Sequence, residues 1–535
     1  MAQATDISQL MTMNLHLHDT FNTALTADSN EVNQPRQVHE AHFSYAMPRQ
    51  PSQPKLLHVS KEMLSNIGLS EEESRSEAFL NMVTGKEILN GTKPYAMCYG
   101  GHQFGHWAGQ LGDGRAINLF EIVHDNQRWA LQLKGAGATP YSRTADGLAV
   151  LRSSIREHLC SEAMHALGIP TTRSLSLALT GDDVLRDMLY NGNPAYEKGA
   201  VICRVAPSFI RFGNFQIFSA RKDVDNLRKL TDYTIRHFFP NIEVGTKDGY
   251  LKFFETVATR TLEMIIHWQR VGFVHGVMNT DNMSILGLTI DFGPYGWLEG
   301  YDKGWTPNTT DRQQKRYRFG QQISIGLWNL FQLANALYPL IEDVTSLEAI
   351  LDNYKTAYAE LYPSMMREKL GLASSLESDT QLILMLENNL EMVETDMTIF
   401  FRNLSQVRKN MVVTNDTLLN IIREAFYDES ALNDKHLTYW RDWFDLYLAR
   451  LQKENATDEE RQAAMNKVNP KYVLRNYMAQ MAIDKADSGD YSLIEELHEM
   501  LKKPYDDQPE NNKWFAKRPE WARHKVGCSM LSCSS

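Results

Sequence analysis

RWALQLKGAGATPYSRTADGLAVLRSSIREHLCSEAMHALG, from Arg128 to Gly168, is the stretch of sequence that decides the fold. Its first residues alternate between apolar and polar, which predicts a β-strand that ends at Lys134. Apolar residues then recur at four-residue spacing from Ala149 to Leu167, as on the buried face of a helix, and Gly168 follows as a typical helix stop. We therefore expect a strand and a helix in succession, with Lys134 on the strand and Glu157 on the helix.

Further strands flank this pair. The run AINLFEIV precedes it, and the connection HDNQ has the length and the residues of a hairpin turn. TTRSLSLALT and GAVICRVA follow and alternate as strands do, and from Val224 onward helical periodicity dominates. Antiparallel strands that carry one long helix, followed by a helical remainder, predict an α+β fold and not a doubly wound sheet.

These changes of pattern divide the chain into five segments. We expect residues 1–42 to form a polar, loosely attached arm and residues 43–94 a small helical module. Residues 95–223, rich in glycine at their start, would form a strand-bearing lobe, and residues 224–414 a helical lobe. Residues 415–535 add further helices and a tail that contains cysteine.

Composition is typical of soluble globular proteins. The chain has 535 residues, 43% hydrophobic and 23% charged, so the collagen-like and wholly disordered classes are excluded. Its formal net charge of −11 gives the whole protein no attraction to nucleic acid or to an anionic membrane. The most apolar stretch, Ile323 to Ile341, contains Asn329, Gln332 and Pro339, so we expect a buried helix and no membrane span.

Cysteine usage and the N-terminal sequence favour a cytoplasmic protein. Five cysteines cannot form the disulfide framework of a secreted chain of this length. The N-terminal sequence lacks the basic start and the uninterrupted apolar stretch of a secretory signal. We expect a monomer in a reducing compartment.

Two polar segments in the helical half indicate a metal site. Asp281 and Asn282 stand before the apolar run MSILGLTI, and Asp291-Phe292-Gly293 stands after it. An Asn and an Asp at neighbouring strand ends can offer hard oxygen ligands to Mg²⁺ while nucleotide phosphates offer others. The tripeptide alone is weak evidence, because it also arises by chance and can cap a turn.

The order of polar residues along the chain strengthens this interpretation. In a protein-kinase-like site a strand lysine binds phosphate and a helix glutamate orients it. The same order is present here after the glycine-rich segment: Lys134, Glu157, His275, Asn282 and Asp291. One member is missing, because Val277 stands where the kinase pattern H-R-D-x-x-x-x-N has its catalytic Asp.

Three long segments closely resemble the selenoprotein O family. They are YGGHQFGHWAGQLGDGRA (Tyr99 to Ala116), LQLKGAGATPYSRTADGLAVLRSSIREHLCSEAMHALGIPTTRSL (Leu131 to Leu175) and HGVMNTDNMSILGLTIDFGPYGWLE (His275 to Glu299). The resemblance implies a protein-kinase-like two-lobed fold with N-terminal and C-terminal helical extensions, which acts as a pseudokinase. It also implies that ATP binds in an inverted orientation and that AMP is transferred to Ser, Thr or Tyr hydroxyls of proteins.

The resemblance also implies a role for each motif position. Asp281 would accept the hydroxyl proton, and Asn282 and Asp291 would be the ligands of Mg²⁺ or Mn²⁺. Lys134 would contact phosphate, with Glu157 as its orienting partner. The remaining nucleotide-binding positions would be Gly112, Gly114, Arg115, Asp146, Gly147, Arg204 and Arg211, and Asp291 would serve the nucleotide as well as the metal.

Other functions stay open at this point. UTP could replace ATP as the donor, and a phosphotransferase that uses Asp281 as its base fits the same motifs. A catalytically silent nucleotide-binding scaffold that responds to redox state is a further alternative, although the presence of both Asn282 and Asp291 disfavours it. Family members carry a Cys or selenocysteine near the C-terminus, and here Cys528 and Cys533 could close a small ring or couple to an outside thiol. The segment WTPNTTD lacks the Cys with which some relatives pair the tail.

Overall fold

The computed structural model describes residues 13, 15–188, 190–412 and 414–532, with the backbone alone at 415, 416 and 418. The chain divides into two compact units. Unit 1 comprises Met1–His158, Thr172–Asp187 and Gly192–Tyr250, and unit 2 comprises Leu159–Thr171, Met188–Asn191 and Leu251–Ser535.

Strands are concentrated in unit 1 and helices in unit 2. The strands are β1 (Phe43–Tyr45), β2 (Lys55–Val59), β3 (Tyr95–Met97), β4 (Gly100–Gln103), β5 (His106–Gln110), β6 (Ala116–His124), β7 (Gln127–Lys134), β8 (Ala149–Val150), β9 (Arg173–Arg186), β10 (Ala195–Ala206), β11 (Phe273–Val274) and β12 (Gly296–Trp297). The helices up to the middle of the chain are α1 (Thr20–Ala24), α2 (Lys61–Asn66), α3 (Glu77–Thr84), α4 (Leu151–Ala166), α5 (Phe212–Ala220), α6 (Val224–Phe238), α7 (Lys247–Val271) and α8 (Gln322–Ile341). The later helices are α9 (Val344–Leu370), α10 (Asp379–Met392), α11 (Met397–Leu404), α12 (Asn415–Ile422), α13 (Asp434–Leu451), α14 (Asp458–Val468), α15 (Asn476–Asp487) and α16 (Ser492–Leu501).

The main sheet of unit 1 is antiparallel, with the strand order β1-β3-β6-β7-β10-β9-β2. A two-residue turn joins β6 to β7, and both of its residues, Asp125 and Asn126, have positive φ (47° and 59°) as a type I′ hairpin requires. This is the hairpin predicted from HDNQ. The antiparallel sheet of unit 1 and the helices of unit 2 confirm the predicted α+β class.

The glycine-rich segment forms a small hairpin of its own, because β4 pairs only with β5 among the described strands. The chain then turns through residues 112–114 into β6, where the predicted nucleotide-binding glycines lie. The hairpin therefore places these glycines at the start of a central strand.

Helices α2 and α3 pack on the main sheet and bury an apolar core that includes Phe79, Leu131 and Val201. The segment predicted as a loosely attached arm contains α1, whose Phe21 is buried and stacks on Tyr95 of β3 with 5.2 Å between ring centroids. One aromatic side chain thus attaches a mostly polar segment to the sheet, which the average polarity of the segment did not predict.

Unit 2 is mainly helical. The apolar stretch predicted as a buried helix forms α8, whose Gln322 and Asn329 are buried and hydrogen-bonded to backbone carbonyls. In the part of the chain that the structure describes, no helix is long and apolar enough to span a membrane. The two-stranded pair β11–β12 lies beside the predicted catalytic segments, because β11 ends immediately before His275.

Candidate active site

The most buried of the predicted site residues lie in unit 1. Lys134 ends β7 and donates a hydrogen bond to Glu157 Oε2 on α4. Arg204 on β10 donates to the other carboxylate oxygen, Oε1, at 3.2 Å. The side chains of Lys134, Glu157 and Arg204 are 10%, 3% and 2% exposed. The fold therefore brings three residues that are far apart in sequence into one buried cluster.

Polar contacts continue from this cluster across the sheet. Arg204 donates to Gln132, and Gln132 Nε2 donates to Asn118 Oδ1 at 3.1 Å. Asn118 Nδ2 donates to Asp113 Oδ2 at 3.2 Å, and Asp113 Oδ1 lies 3.9 Å from the guanidinium of Arg211. A continuous chain of contacts thus connects the predicted residue Arg211 with the cluster around Glu157.

Asp113, Asn118 and Gln132 were not predicted, although for Asn118 and Gln132 a signal was present. Gln132 is two residues before Lys134, so the two side chains share one face of β7. Asn118 stands directly opposite Gln132 in the β6–β7 register. A polar pair inside two otherwise apolar strands is unusual, since buried polar groups need hydrogen-bond partners.

The glycine-rich turn positions Asp113. Gly112 has φ +77°, and a Cβ there would overlap the ring of Tyr141, so only glycine fits. Asp113 Oδ2 accepts a bond from Met97 N at 3.0 Å, which fixes the carboxylate. After Gly114 the side chain of Arg115 is exposed, and within the described ranges it forms no ion pair.

Asp146 and Gly147 lie in the loop between β7 and β8. Arg186 on β9 holds the Asp146 carboxylate with two hydrogen bonds of 2.7 Å, and Leu148 N donates to it at 2.9 Å. Burial by itself would raise the pKa of Asp146, but the bonds from Arg186 and Leu148 hold that pKa below its ordinary value. Gly147 has φ +71°, and a Cβ there would overlap the Gly137 carbonyl. Arg186 is a further residue that the sequence did not identify.

In unit 2 His275 connects the segment that contains Asp281 with the segment that contains Asp291, through a hydrogen bond. Its Nε2 bonds the carbonyl of Ile290 at 2.8 Å, and its ring stacks on Trp268 with 5.5 Å between centroids. Burial lowers the pKa of His275 below its ordinary value, so the ring is neutral and its Nε2–H donates to that carbonyl. Since Ile290 precedes Asp291, His275 fixes the start of the Asp-Phe-Gly segment.

The three predicted residues of unit 2 differ in their surroundings. Asp281 lies in the 3-10 turn Thr280–Asn282 and is 8% exposed. Asn282 is half-buried, and its Nδ2 donates to Val277 O at 2.9 Å. Asp291 has φ +59°, a left-handed conformation that is uncommon for a residue other than glycine and often marks a functional position.

Buried side chains from outside the 275–282 loop hold it in place, and the sequence did not predict them. The bonds are Asn308 Nδ2 to Gly276 O at 3.1 Å, Asn329 Nδ2 to Met278 O at 2.9 Å, and Tyr317 Oη to Asn279 Oδ1 at 2.6 Å. A loop that is hydrogen-bonded at each of these positions has little freedom, so Asp281 is presented in a fixed orientation.

The C-terminal tail reaches the same region of unit 2. Leu531 is buried and pairs with residue 308 as an isolated parallel bridge, with Thr309 N donating to Leu531 O at 2.7 Å. Cys528 is buried and its carbonyl accepts from Asn476 Nδ2 at 2.7 Å. The predicted ring with Cys533 lies outside the described residues, and no two of the described cysteines form a disulfide with each other.

Comparison with known proteins identifies the family. The family model of the protein adenylyltransferase SelO matches residues 29–502. The chain belongs to this family. A protein nucleotidyltransferase YdiU of Flavobacterium johnsoniae is 61% identical over 522 residues, which cover 98% of this chain and 100% of the relative. Relatives of the same description from Rhodopirellula baltica and Azoarcus sp. are 53% and 51% identical, over 98% and 96% of this chain and 100% and 98% of their own.

Membership of the SelO family confirms the resemblance and, with it, the predicted enzyme class, a protein nucleotidyltransferase. An adenylyltransferase takes a nucleotide as its substrate, so the part of the prediction that concerns a nucleotide is also supported. The family model begins within the predicted N-terminal arm and includes most residues of each unit.

The metal prediction can be tested against the donor atoms. Across the described parts of the chain no group of three or more His, Cys, Asp or Glu side chains could hold a metal ion. Mg²⁺ bound with a nucleotide needs only one or two protein ligands, since phosphates and water provide the others. A carbonyl can only accept a hydrogen bond, so the amide nitrogen of Asn282 faces Val277 O and its Oδ1 is the atom that can face a cation. Together with the Asp291 carboxylate this donor set fits Mg²⁺ or Mn²⁺.

Proposed function

We propose that this chain transfers AMP from ATP to Ser, Thr or Tyr hydroxyls of other proteins, and that it can also transfer UMP from UTP. The observation that carries the proposal is the buried cluster in which Lys134 and Arg204 share Glu157. Cations that a carboxylate holds in fixed positions are suited to bind a polyphosphate, because little ordering is needed when the ligand arrives. We also propose a kinase-like two-lobed fold, which is supported by the lysine strand and glutamate helix of unit 1 and the helical character of unit 2.

The roles of individual residues are part of this proposal, and the local geometry supports several of them. We propose that Lys134, Arg204, Arg211 and Arg115 bind the phosphates, and that Gly112, Gly114, Asp146 and Gly147 shape the rest of the nucleotide site. Glu157 orients Lys134 and Arg204 through the bonds described above. Asp113 acts in the same way on Arg211, at 3.9 Å.

In the proposed reaction the acceptor hydroxyl oxygen attacks the α-phosphorus of ATP. Asp281 takes the hydroxyl proton, the new oxygen–phosphorus bond forms, and the bond to the β-phosphate breaks to release pyrophosphate. Asn282 and Asp291 would hold Mg²⁺ or Mn²⁺, which when bound neutralises charge on the phosphates. Val277 stands where a kinase has its catalytic Asp, which argues against ordinary phosphate transfer. The inverted orientation of the nucleotide is what the resemblance to the family implies.

Labelled ATP tests the proposal directly. The full chain is incubated with Mg²⁺ or Mn²⁺, a mixture of soluble proteins, and ATP labelled at either the α- or the γ-phosphorus. We expect label in protein from the α position alone, with a product heavier by one AMP. Label from the γ position alone would establish the phosphotransferase alternative, and no label from either, with ATP still bound, would establish the silent scaffold.

The cellular setting is a separate proposal. We propose a cytoplasmic monomer that uses neither nucleic acid nor a membrane, which the low cysteine content and the net charge of −11 support.

A further inference from the structure

Between β12 and α8 the chain contains a strongly basic stretch, DRQQKRYRFG, from Asp311 to Gly320. Two of its cations are exposed and two are half-buried, and they are Arg312, Lys315, Arg316 and Arg318. This local excess of positive charge contrasts with the net charge of −11 of the whole chain. We refer to residues 312–318 as the basic segment.

The carboxylates near the basic segment do not neutralise it. Among the described residues none of its four cations forms an ion pair. Asp311 is buried, and its carboxylate accepts from two backbone amides of the basic segment at 2.9 and 2.7 Å. Asp302, which like Lys315 lies beside Gly304, accepts from Gly304 N at 2.7 Å. Four like charges within seven residues repel one another, so a negatively charged ligand would stabilise the segment.

Contacts within unit 2 fix the basic segment beside the loop that carries Asp281. Tyr317 is buried in the segment, and its Oη donates to Asn279 Oδ1 at 2.6 Å. Asp281 is two residues after Asn279, and two residues of chain span at most about 7 Å. The guanidinium of Arg316 lies over the ring of Trp328, 4.6 Å from its centroid. The basic segment is therefore held close to the residue that is proposed to take the hydroxyl proton.

A cavity of about 280 Å³ lies beside the same loop. Asn308 lines this cavity and donates to Gly276 O at 3.1 Å, and Arg312 of the basic segment lines it as well. The other lining residues are Thr306, Pro307, Thr309, His524, Ser529 and Met530. No Asp or Glu of the described chain is among them. The cavity thus offers hydrogen-bond donors and positive charge without a competing carboxylate, which suits an anionic group.

We propose that the basic segment and this cavity bind acidic side chains of the acceptor protein, close to the hydroxyl that receives the nucleotide. The inference rests on the proposed function, because it names a property of the proteins on which that function acts. Cations that are spread over seven residues suit several carboxylates along a peptide better than they suit one small anion. One carboxylate would accept from Arg312 at the cavity, and others from Lys315 and Arg316 along the segment.

The charge of the whole chain makes this preference specific to the basic segment. A net charge of −11 repels an acidic peptide on average, so an acidic peptide that binds more tightly than a neutral one must meet a local positive surface. General electrostatic attraction therefore cannot imitate the expected result.

Peptide binding tests the inference without any reaction. Fluorescein-labelled peptides carry one serine with three glutamates directly before it or directly after it, and matched peptides carry glutamines instead. Three carboxylates are used because each exposed ion pair contributes little. We expect fluorescence anisotropy with the full chain at low ionic strength to show at least one glutamate peptide that binds about fivefold or more tightly than its glutamine partner. Equal affinity within both pairs would overturn the proposal.

Two double variants locate the binding. Arg312→Gln combined with Lys315→Gln removes two exposed charges, so the fold should be retained, and it should abolish the preference for glutamate. Lys435→Gln combined with Lys453→Gln removes two exposed charges from α13 and from the turn after it, and should leave the preference unchanged. A preference that survives in the first double variant would place the acidic side chains elsewhere and overturn the assignment.

ATP binding distinguishes the acceptor from the nucleotide as the ligand of the basic segment. We expect calorimetric titration with ATP and Mg²⁺ to give the wild-type affinity for Arg312→Gln combined with Lys315→Gln. A loss of ATP affinity would assign the basic segment to the nucleotide and overturn the proposal. Because the peptide measurement uses no ATP, its result is independent of whether α-label enters protein.

Discussion

Asp291 has a negative charge and a left-handed backbone conformation, and a substitution can remove the charge while it keeps the conformation. Its φ of +59° is left-handed, a conformation that Asn tolerates about as well as Asp. Asp291→Asn therefore removes the carboxylate charge without adding strain. We predict that it lowers Mg²⁺-dependent affinity for ATP by about 10- to 100-fold, since a charge-assisted contact contributes roughly 1.5–3 kcal/mol. Calorimetric titration with ATP, with and without Mg²⁺, measures this, and an unchanged Mg²⁺ dependence would remove Asp291 from the metal site.

Asp281 should affect the chemical step and not binding. The residue is mostly buried in a loop that the amides of Asn308 and Asn329 hold in place, so Asp281→Asn should keep the same position. We predict a fall of about 10²–10⁴-fold in turnover at saturating ATP, with the affinity for ATP nearly unchanged, because a proton acceptor contributes to the rate by that amount. Single-turnover transfer of α-label checks the rate. A loss of affinity with normal turnover would make Asp281 a binding residue.

His42 should make the stability of unit 1 depend on pH. It is buried, it accepts from Thr26 N through Nδ1 at 3.1 Å and donates through Nε2 to Asn226 O at 3.0 Å, so it must be neutral. Burial lowers its pKa from 6.5 to about 4. As pH falls below 6.5, the unfolded chain gains a proton that the folded chain does not, so the free energy of unfolding decreases until about pH 4. The expected loss from this residue is about 3 kcal/mol.

Urea unfolding of the wild type and of His42→Gln, at pH 7.5 and at pH 4.5, isolates this contribution from that of other buried histidines. We expect the stability gap between the two proteins to shrink by about 2–3 kcal/mol at the lower pH. A gap that does not change with pH would show that His42 is not held neutral.

Among the elements, the tail offers the most direct test. Leu531 N donates to Pro307 O at 3.2 Å and Thr309 N donates to Leu531 O at 2.7 Å, while Asn308 between them bonds Gly276 O at 3.1 Å. We predict that a chain ending at Lys525 exchanges the amide hydrogens of residues 308–311 faster, because Thr309 N loses its acceptor Leu531 O and the turn that Asn308 caps loses this support. Turnover should fall as well, because the 275–282 loop is then held less firmly.

Hydrogen exchange followed by mass spectrometry, together with transfer of α-label, measures both effects of the truncation. A matched control chain ends at Ser532 and keeps every tail contact described above. Normal exchange and normal turnover in the shorter chain would mean that the tail only covers the surface of unit 2.

The elements with strong periodicity could be predicted from the sequence, and those that depend on tertiary contacts could not. The β6–β7 hairpin and α4 follow local rules of alternation, turn chemistry and helix spacing. After residue 380 the sequence has a continuous helical pattern, but the structure divides this stretch into α10 and α11. Asp396 caps the start of α11 by accepting from Ile399 N at 3.0 Å, and the helical pattern did not reveal this break. β1 and β2 were missed within a segment predicted as helical, since strands of three and five residues are too short to show alternation.

For the candidate site, chain order was enough to select residues but not their partners. Lys134, Glu157 and Asp291 stand in a recognisable sequence order, so they could be proposed without a structure. Asp113 and Arg186 could not, because each is defined by a contact with Arg211 or Asp146 that exists only once the strands are in register. Long-range ion pairs leave no periodic pattern in the sequence.

At the scale of the whole molecule, the proposed site residues are divided between the two units. Lys134, Glu157 and Arg204 belong to unit 1, and Asp281 and Asp291 belong to unit 2. A nucleotide or a metal that binds only the folded chain raises the stability of that chain, so thermal unfolding can measure the binding of each.

A ligand that binds only the folded chain stabilises it by about 2.7 kcal/mol at a concentration of 100 times Kd. For a cooperative unit of roughly 150–250 residues this corresponds to a rise in Tm of about 5–10 °C. We predict that ATP with Mg²⁺ raises Tm most, that ATP with EDTA raises it less, and that AMP with Mg²⁺ raises it least, because AMP lacks the β- and γ-phosphates that Lys134, Arg204 and Arg211 would bind. Thermal unfolding with each ligand at one fixed concentration measures the order, and equal shifts for ATP and AMP would contradict it.

Glu157→Gln distinguishes the effect of Glu157 on the stability of the fold from its effect on phosphate binding. Without ligand, it leaves Lys134 and Arg204 buried beside a neutral amide, which should cost about 3–5 kcal/mol and lower Tm. Glu157 also holds these two cations in position for phosphate, so the stabilising effect of ATP relative to AMP should be smaller in Glu157→Gln than in the wild type. The control Glu459→Gln breaks an exposed pair with Arg408, which contributes about 0–1 kcal/mol, and should change neither Tm nor the ligand shifts. If the effect of ATP relative to AMP is the same in Glu157→Gln as in the wild type, the phosphates do not bind at this cluster.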